Sequence, residues 1–173
     1  MNSPAAASPF RRLRAYRWLL LLAALVLILD QLTKSAIAAR VPFDPTGQGV
    51  GGVTVIDGFC YLIDVGNTGA AWSMFTGASV ILAGLAAATL AAIYLGRRAL
   101  GLREAGAQVG FGLLCGGIAG NLVDRLRYGH VIDFLSLHFG SYIYPTFNVA
   151  DSGICVGVVC YLWHSFRQPR EDR

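Results

Sequence analysis

The chain has 173 residues, 55% of them hydrophobic and only 14% charged, where soluble domains carry about 25% charged residues. An ordinary soluble domain is excluded and an integral membrane protein is expected. The formal charge of +4 does not point to nucleic acid, because the basic residues are grouped at particular places along the chain, as topology signals are.

The length suits a single domain over residues 1–173, and no Ser/Pro/Gly linker divides it. The four cysteines, Cys60, Cys115, Cys155 and Cys160, have no CxxC spacing and read as small buried hydrophobes. The three histidines are scattered, without HExxH or paired Cys/His spacing, so no metal and no cofactor is expected. That applies also to His130 and His138, near Asp133.

Residues 1–9 are small and polar, as a disordered terminus is. Arg11, Arg12, Arg14 and Arg17 then precede the apolar run Trp18 to Leu29. The run resembles a signal peptide with a cleavage site after Ala38, but Asp30 and Lys34 interrupt the approach to that site and further spans follow. A retained first transmembrane helix over about 17–39 is expected. At 1.5 Å per residue Asp30 lies roughly 20 Å along from Arg17, inside a hydrocarbon core of about 30 Å and toward its far side. An acid there marks function or support of a functional site, although Lys34 one turn on also allows a simple ion pair.

From Arg40 to Val65 the pattern changes to alternating β-branched residues, and Asp57-Gly58 signals a two-residue hairpin between strands. A small sheet outside the membrane is expected within 40–75. Asn67-Thr68-Gly69-Ala70-Ala71-Trp72-Ser73 then forms a polar turn, with Trp72 and Phe75 suited to the interface.

The uncharged stretch from Ala78 to Leu95 is the second span. Arg97, Arg98 and Arg103 follow it. With the N-terminal arginines and Arg167, Arg170 and Arg173, they fall on one side if the chain crosses four times, which predicts both termini in the cytoplasm.

The third span, about 107–124, carries Gly112, Gly116 and Gly120 at i, i+4, i+8, a stripe that admits another helix backbone. Asn121 and Asp124 lie three apart near its outer end and share a face. The segment 125–146 is rich in aromatics, as expected of chain lying at the interface. Pro145 and Thr146 suit the start of the last span, about 147–165. The fold class expected is thus an all-α integral membrane protein of four transmembrane helices with a small extracytoplasmic β-hairpin or sheet.

This topology gathers Asp30, Asp124, Asp133 and Asp151 at one depth. Hydrolysis of an amide without serine, cysteine or metal needs one group to take a proton from water and another to give one, and two close aspartates sharing a proton do both. Composition leaves open which two acids pair. Asp124, beside Arg125, reads as half of a structural ion pair, as hydrogen-bonded support, or as a member of the pair. Intramembrane acids also mark ion pathways, so a small proton-coupled transporter is the alternative.

The chain resembles the lipoprotein signal peptidase family (signal peptidase II) along nearly its whole length. The matching blocks are DQLTK at 30–34, NTGAAWS at 67–73, GNLVDR at 120–125, GHVIDF at 129–134 and FNVADS at 147–152. The resemblance implies an aspartic peptidase of the bacterial cytoplasmic membrane. Such an enzyme removes the signal peptide from lipid-modified prolipoproteins just before the diacylglyceryl-cysteine. It implies Asp133 and Asp151 as the catalytic pair, with Asp30, Lys34, Asn67, Gly120, Asn121, Asp124, Arg125 and Asn148 as supporting or substrate-binding residues. A monomer working among membrane lipids is expected, with lateral substrate entry and no nucleic-acid partner. One departure from the family pattern is Gly66, where many members carry a basic residue. From its place in the first turn of a helix, Asp151 is expected to be the ionised, water-activating member, with Asp133 carrying the shared proton.

Overall fold

The computed structural model describes residues 14–47, 51–70 and 74–167. Trp72 and the arginines at 11, 12, 170 and 173 lie outside them. Among the described residues four helices are long and apolar enough to cross a membrane: α1 (Arg17–Arg40), α2 (Ser79–Gly96), α3 (Ala105–Tyr128) and α4 (Val149–Arg167). Their outward faces carry large apolar side chains in the open, Val80 at 86% and Phe166 at 83% exposure among them. Only a hydrocarbon solvent makes such surfaces stable over a whole bundle.

Leucine and alanine dominate α1 and give it strong helical propensity. It ends where Val41 turns extended ahead of Pro42, its N–H donating to the Ile37 carbonyl at 2.8 Å. α3 runs past the end expected near 124 to Tyr128, because nothing breaks it before Gly129. That glycine takes the left-handed conformation (φ 76°) and donates its N–H to the Arg125 carbonyl, a helix-terminating arrangement open to glycine at little cost.

α3 is the hub and packs on α1, α2 and α4. Small residues allow this on two sides at once. A Cβ added to Gly116 would stand 2.7 Å from the Ala23 carbonyl of α1, and one added to Gly117 would run into the Ala150 carbonyl of α4. At one end of the bundle Leu102, Ala107 and Phe111 form a core with Tyr16, Leu19 and Tyr161. The described arginines 14, 17, 97, 98, 103 and 167 flank the helices at that end.

The other end carries a four-stranded antiparallel sheet in the order β1 (Val53–Ile56), β2 (Cys60–Asn67), β3 (Val131–Phe139), β4 (Tyr142–Phe147). Phe134, Leu62 and Leu135 seat it on Ile37 of α1, on Val41 just past the end of α1 and on Val149 of α4. Three expectations are corrected here. The Asp57-Gly58 hairpin has a three-residue turn, since Ile56 pairs with Cys60; Phe59 joins the turn, its carbonyl taken by His138 N–H at 2.8 Å. The aromatic stretch after α3, expected only as chain lying at the interface, forms the β3–β4 hairpin, and its β-branched and aromatic residues extend the sheet. Pro145 and Thr146 belong to β4, not to the start of α4, and Asn148 is the residue that opens that helix.

Candidate active site

Asp133 comes from β3 and Asp151 from the first turn of α4, and Asn148 joins them. The Asn148 Oδ1 accepts the Asp151 N–H at 2.9 Å, and Asp151 Oδ2 accepts the Asn148 N–H at 3.2 Å. This is a reciprocal capping box at the start of α4. Because its oxygen is held there, Asn148 turns its Nδ2 to Asp133 Oδ1 at 2.8 Å. Asn67 at the end of β2 donates to Asp133 Oδ2 at 2.9 Å, and Asn121 of α3 donates to Asp151 Oδ1 at 2.8 Å. Each of the four carboxylate oxygens therefore accepts one N–H.

The orientation of Asn121 has an identifiable cause. Its Oδ1 accepts from Lys34 Nζ at 2.9 Å, and an ammonium can only donate, so Nδ2 is left to face Asp151. Lys34 is in turn bracketed by Asp30 Oδ2 at 2.8 Å and Asp124 Oδ2 at 2.7 Å. All three are essentially inaccessible, at 0–1% exposure. A buried charge must be paired, and the lysine makes each carboxylate tolerable to the other. Asp30 is also a tether between helices, its Oδ1 accepting the Ala150 N–H of α4 at 2.9 Å. Gly120 makes room for it: a Cβ there would lie 2.5 Å from Asp30 Oδ2.

Asp124 and Arg125 do not pair with each other. Helical geometry sends Asp124 to Lys34 and to the Ile132 N–H at 3.2 Å, so it buttresses β3. Arg125 instead donates to the Gly69 carbonyl at 2.8 Å and holds the loop after β2. Sequence reasoning missed Gln31, whose Nε2 donates to Asp124 Oδ1 at 2.9 Å and Asp30 Oδ2 at 3.2 Å. Its signal was available, since a neutral amide inside a span needs partners.

Burial first, and then the charge of Asp151, push the Asp133 carboxyl up to about 7; the donor from Asn67, the charge of Lys34 and the donor from Asn148 oppose the rise. A carboxyl in that range holds or releases a proton at neutral pH.

Both aspartates face a cavity of about 530 Å³. Asn121 and Arg125 line it near the acids, and an apolar wall of Leu82, Leu85, Ala86 and Ile154 extends it between α2 and α4. Cys155 lines it as well and is exposed, and Cys115 and Cys160 are half-buried, so the reading of the four cysteines as buried hydrophobes holds in full only for Cys60. His130 and His138 lie elsewhere: His138 pairs with Ser136 at 3.1 Å and stacks near Tyr61. No group of three His, Cys, Asp or Glu is spaced for a metal among the described residues.

The profile of signal peptidase (SPase) II matches residues 22–167. A lipoprotein signal peptidase of Nitratidesulfovibrio vulgaris (strain DP4) is 37% identical over 164 residues, covering 91% of this chain and 94% of that protein. Another, of Oleidesulfovibrio alaskensis, is 43% identical over 143 residues, covering 79% and 86%. The fold is similar to that of a bacterial membrane enzyme solved by the in meso method, with a TM-score of 0.76 and 29% identity over 90% of this chain and 93% of that one.

Proposed function

Because the chain belongs to the signal peptidase II family, matched over residues 22–167, we propose that it is an aspartic endopeptidase that removes the signal peptide from lipid-modified prolipoproteins. The bond cut is the one before the diacylglyceryl-cysteine. One observation carries the reading: Asp133 and Asp151 share Asn148 and open on one cleft, every carboxylate oxygen held by a single N–H.

Asp151 is the ionised member at the positive end of α4, and Asp133, raised to about 7, carries the shared proton. Asp151 takes a proton from water, and the oxygen adds to the scissile carbonyl carbon while Asp133 protonates the carbonyl oxygen. Collapse of the tetrahedral diol breaks the C–N bond: the proton on Asp151 goes to the leaving amine, and the hydroxyl that becomes the new carbonyl returns its proton to Asp133, which restores the pair. Asn67, Asn121 and Asn148 keep the two carboxylates oriented without adding charge, and Asp30, Lys34, Gly120 and Asp124 fix the helix ends that carry them. Arg125 holds the loop at the cleft mouth.

The arginine-rich end of the bundle is cytoplasmic by the positive-inside rule, which puts both termini inside and the sheet and the site at the outer face of the bacterial cytoplasmic membrane. The whole chain acts as one peptidase domain and as a monomer. Substrate enters laterally between α2 and α4, where the cleft wall is apolar and both the acyl chains and the signal segment already lie in lipid. The acids gather at one end of the bundle instead of marking a path through it, which favours a site over a proton-coupled transporter. Incubation of the pure protein with lipidated and unlipidated precursor, each with and without chelator, tests the reading. Cleavage of the lipidated precursor alone, unaffected by chelator, is expected; chelator-sensitive cleavage removes the aspartic mechanism.

A further inference from the structure

Gly66 stands between Val65 and Asn67 near the end of β2. A glycine inside a strand contributes no side-chain packing and has the most backbone freedom to lose. Here a residue of the adjoining segment covers it. A Cβ placed on Gly66 would lie 2.9 Å from Cδ2 of His130 and 3.3 Å from its Cγ and Nε2, so the imidazole rests against the glycine backbone. In the register Gly66 faces Ile132, Asn67 faces Val131 and Val65 faces Asp133. Alternation therefore puts His130 diagonally across from Gly66 on one face, while Val65, Asn67 and Asp133 occupy the opposite face, toward the cleft. The ring sits behind the residue that donates to Asp133.

We propose that His130 is a positioning residue of the peptidase: by covering Gly66 it holds the end of β2 against β3 and sets where Asn67 Nδ2 meets Asp133 Oδ2. An aromatic ring laid over a bare glycine on a neighbouring strand is a known way to secure such a strand. Apart from its pairing with Val131, Asn67 is placed by contacts within its own turn. Its Oδ1 takes the Gly69 N–H at 2.8 Å, and its second amide contact, to the Ala70 carbonyl, is long at 3.4 Å. Phe43 and Tyr128 flank the imidazole, each with ring centroids 6.2 Å from it. Asp64, buried in β2, interacts with it electrostatically, so the test separates the ring from its charge.

The inference rests on the peptidase reading, and the full-length protein with a lipidated precursor tests it. His130→Ala lowers kcat about tenfold with KM nearly unchanged, as loss of a group that never touches substrate does. His130→Phe, which keeps a ring and no charge, retains activity with the same pH profile. Gly66→Val is harmful alone and restores activity when added to His130→Ala, because the new side chain fills the vacated space. Equal losses in the Phe and Ala variants, or multiplying losses in the double variant, overturn the proposal. Thermal unfolding of the same four proteins reads the Gly66–His130 coupling without any cleavage. If wild type cuts no precursor, the peptidase reading fails, and additive unfolding effects alone still overturn the contact.

Discussion

Asn148 and Asp151 cap each other: the asparagine oxygen accepts the aspartate's backbone N–H at 2.9 Å, and the carboxylate accepts the asparagine's at 3.2 Å. A device that starts a helix is thus also the bridge to Asp133, through the other half of the same amide. Stability and activity should separate on substitution. Asn148→Ala loses about 1 kcal/mol for the missing cap and roughly 10²-fold in kcat for the missing amide donor. Asn148→Ser keeps a capping oxygen and recovers the stability without the kcat, as thermal unfolding and cleavage assays of the two variants would show.

Lys34 is the only positive group in contact with Asp30 and Asp124 among the described residues. Lys34→Met strands two buried carboxylates and is expected to cost about 3–5 kcal/mol. Adding Asp124→Asn removes one of them and restores part of the loss. A double-mutant cycle on unfolding in a fixed detergent measures the coupling; independent effects would contradict the network.

The Asp133 carboxyl, raised by burial and by Asp151 to about 7, binds its proton more tightly in the folded than in the unfolded chain. The folded state therefore holds more protons between about pH 4 and pH 7, and stability falls as pH rises through that window. Asp133→Asn should flatten this part of the curve, an effect of up to about 4 kcal/mol. Melting temperature against pH for both proteins checks the sign.

Gly120→Ala places a methyl 2.5 Å from Asp30 Oδ2 and 3.3 Å from the Ala150 Cβ. Overpacking of about 1–3 kcal/mol follows, and the displaced Asp30 pulls on the start of α4 through Ala150 N–H. Activity should fall further than stability. Gly140→Ala, in open space at the far hairpin tip, is the control: it strains only its own backbone (φ 64°) and leaves kcat unchanged.

Much of this was legible in the sequence for physical reasons. Long apolar runs report four helices because lipid admits little else. The Asp, Asn and Lys residues in those runs stand out because each needs a partner. The β3–β4 hairpin was hidden because its aromatics suit an interface as well as a sheet. Pro145 resembled a helix start because its fixed φ serves an edge strand equally. The partner of Asp124 was unreadable, since adjacent residues in a helix face different ways and the neighbour in sequence, Arg125, is not the neighbour in space. Gly66 was legible only as a departure from the family pattern, because the fold, not the sequence, brings His130 over it.

The central claim is that Asp133 and Asp151 act as one pair. Each is replaced by Asn, which keeps shape while removing the titrating group, and cleavage of a lipidated precursor is followed in proteins whose thermal unfolding shows them folded. Loss of cleavage in both single variants, by a factor of at least about 10³, is expected, and the double variant should be no worse than either. Cleavage that survives either substitution would contradict the account.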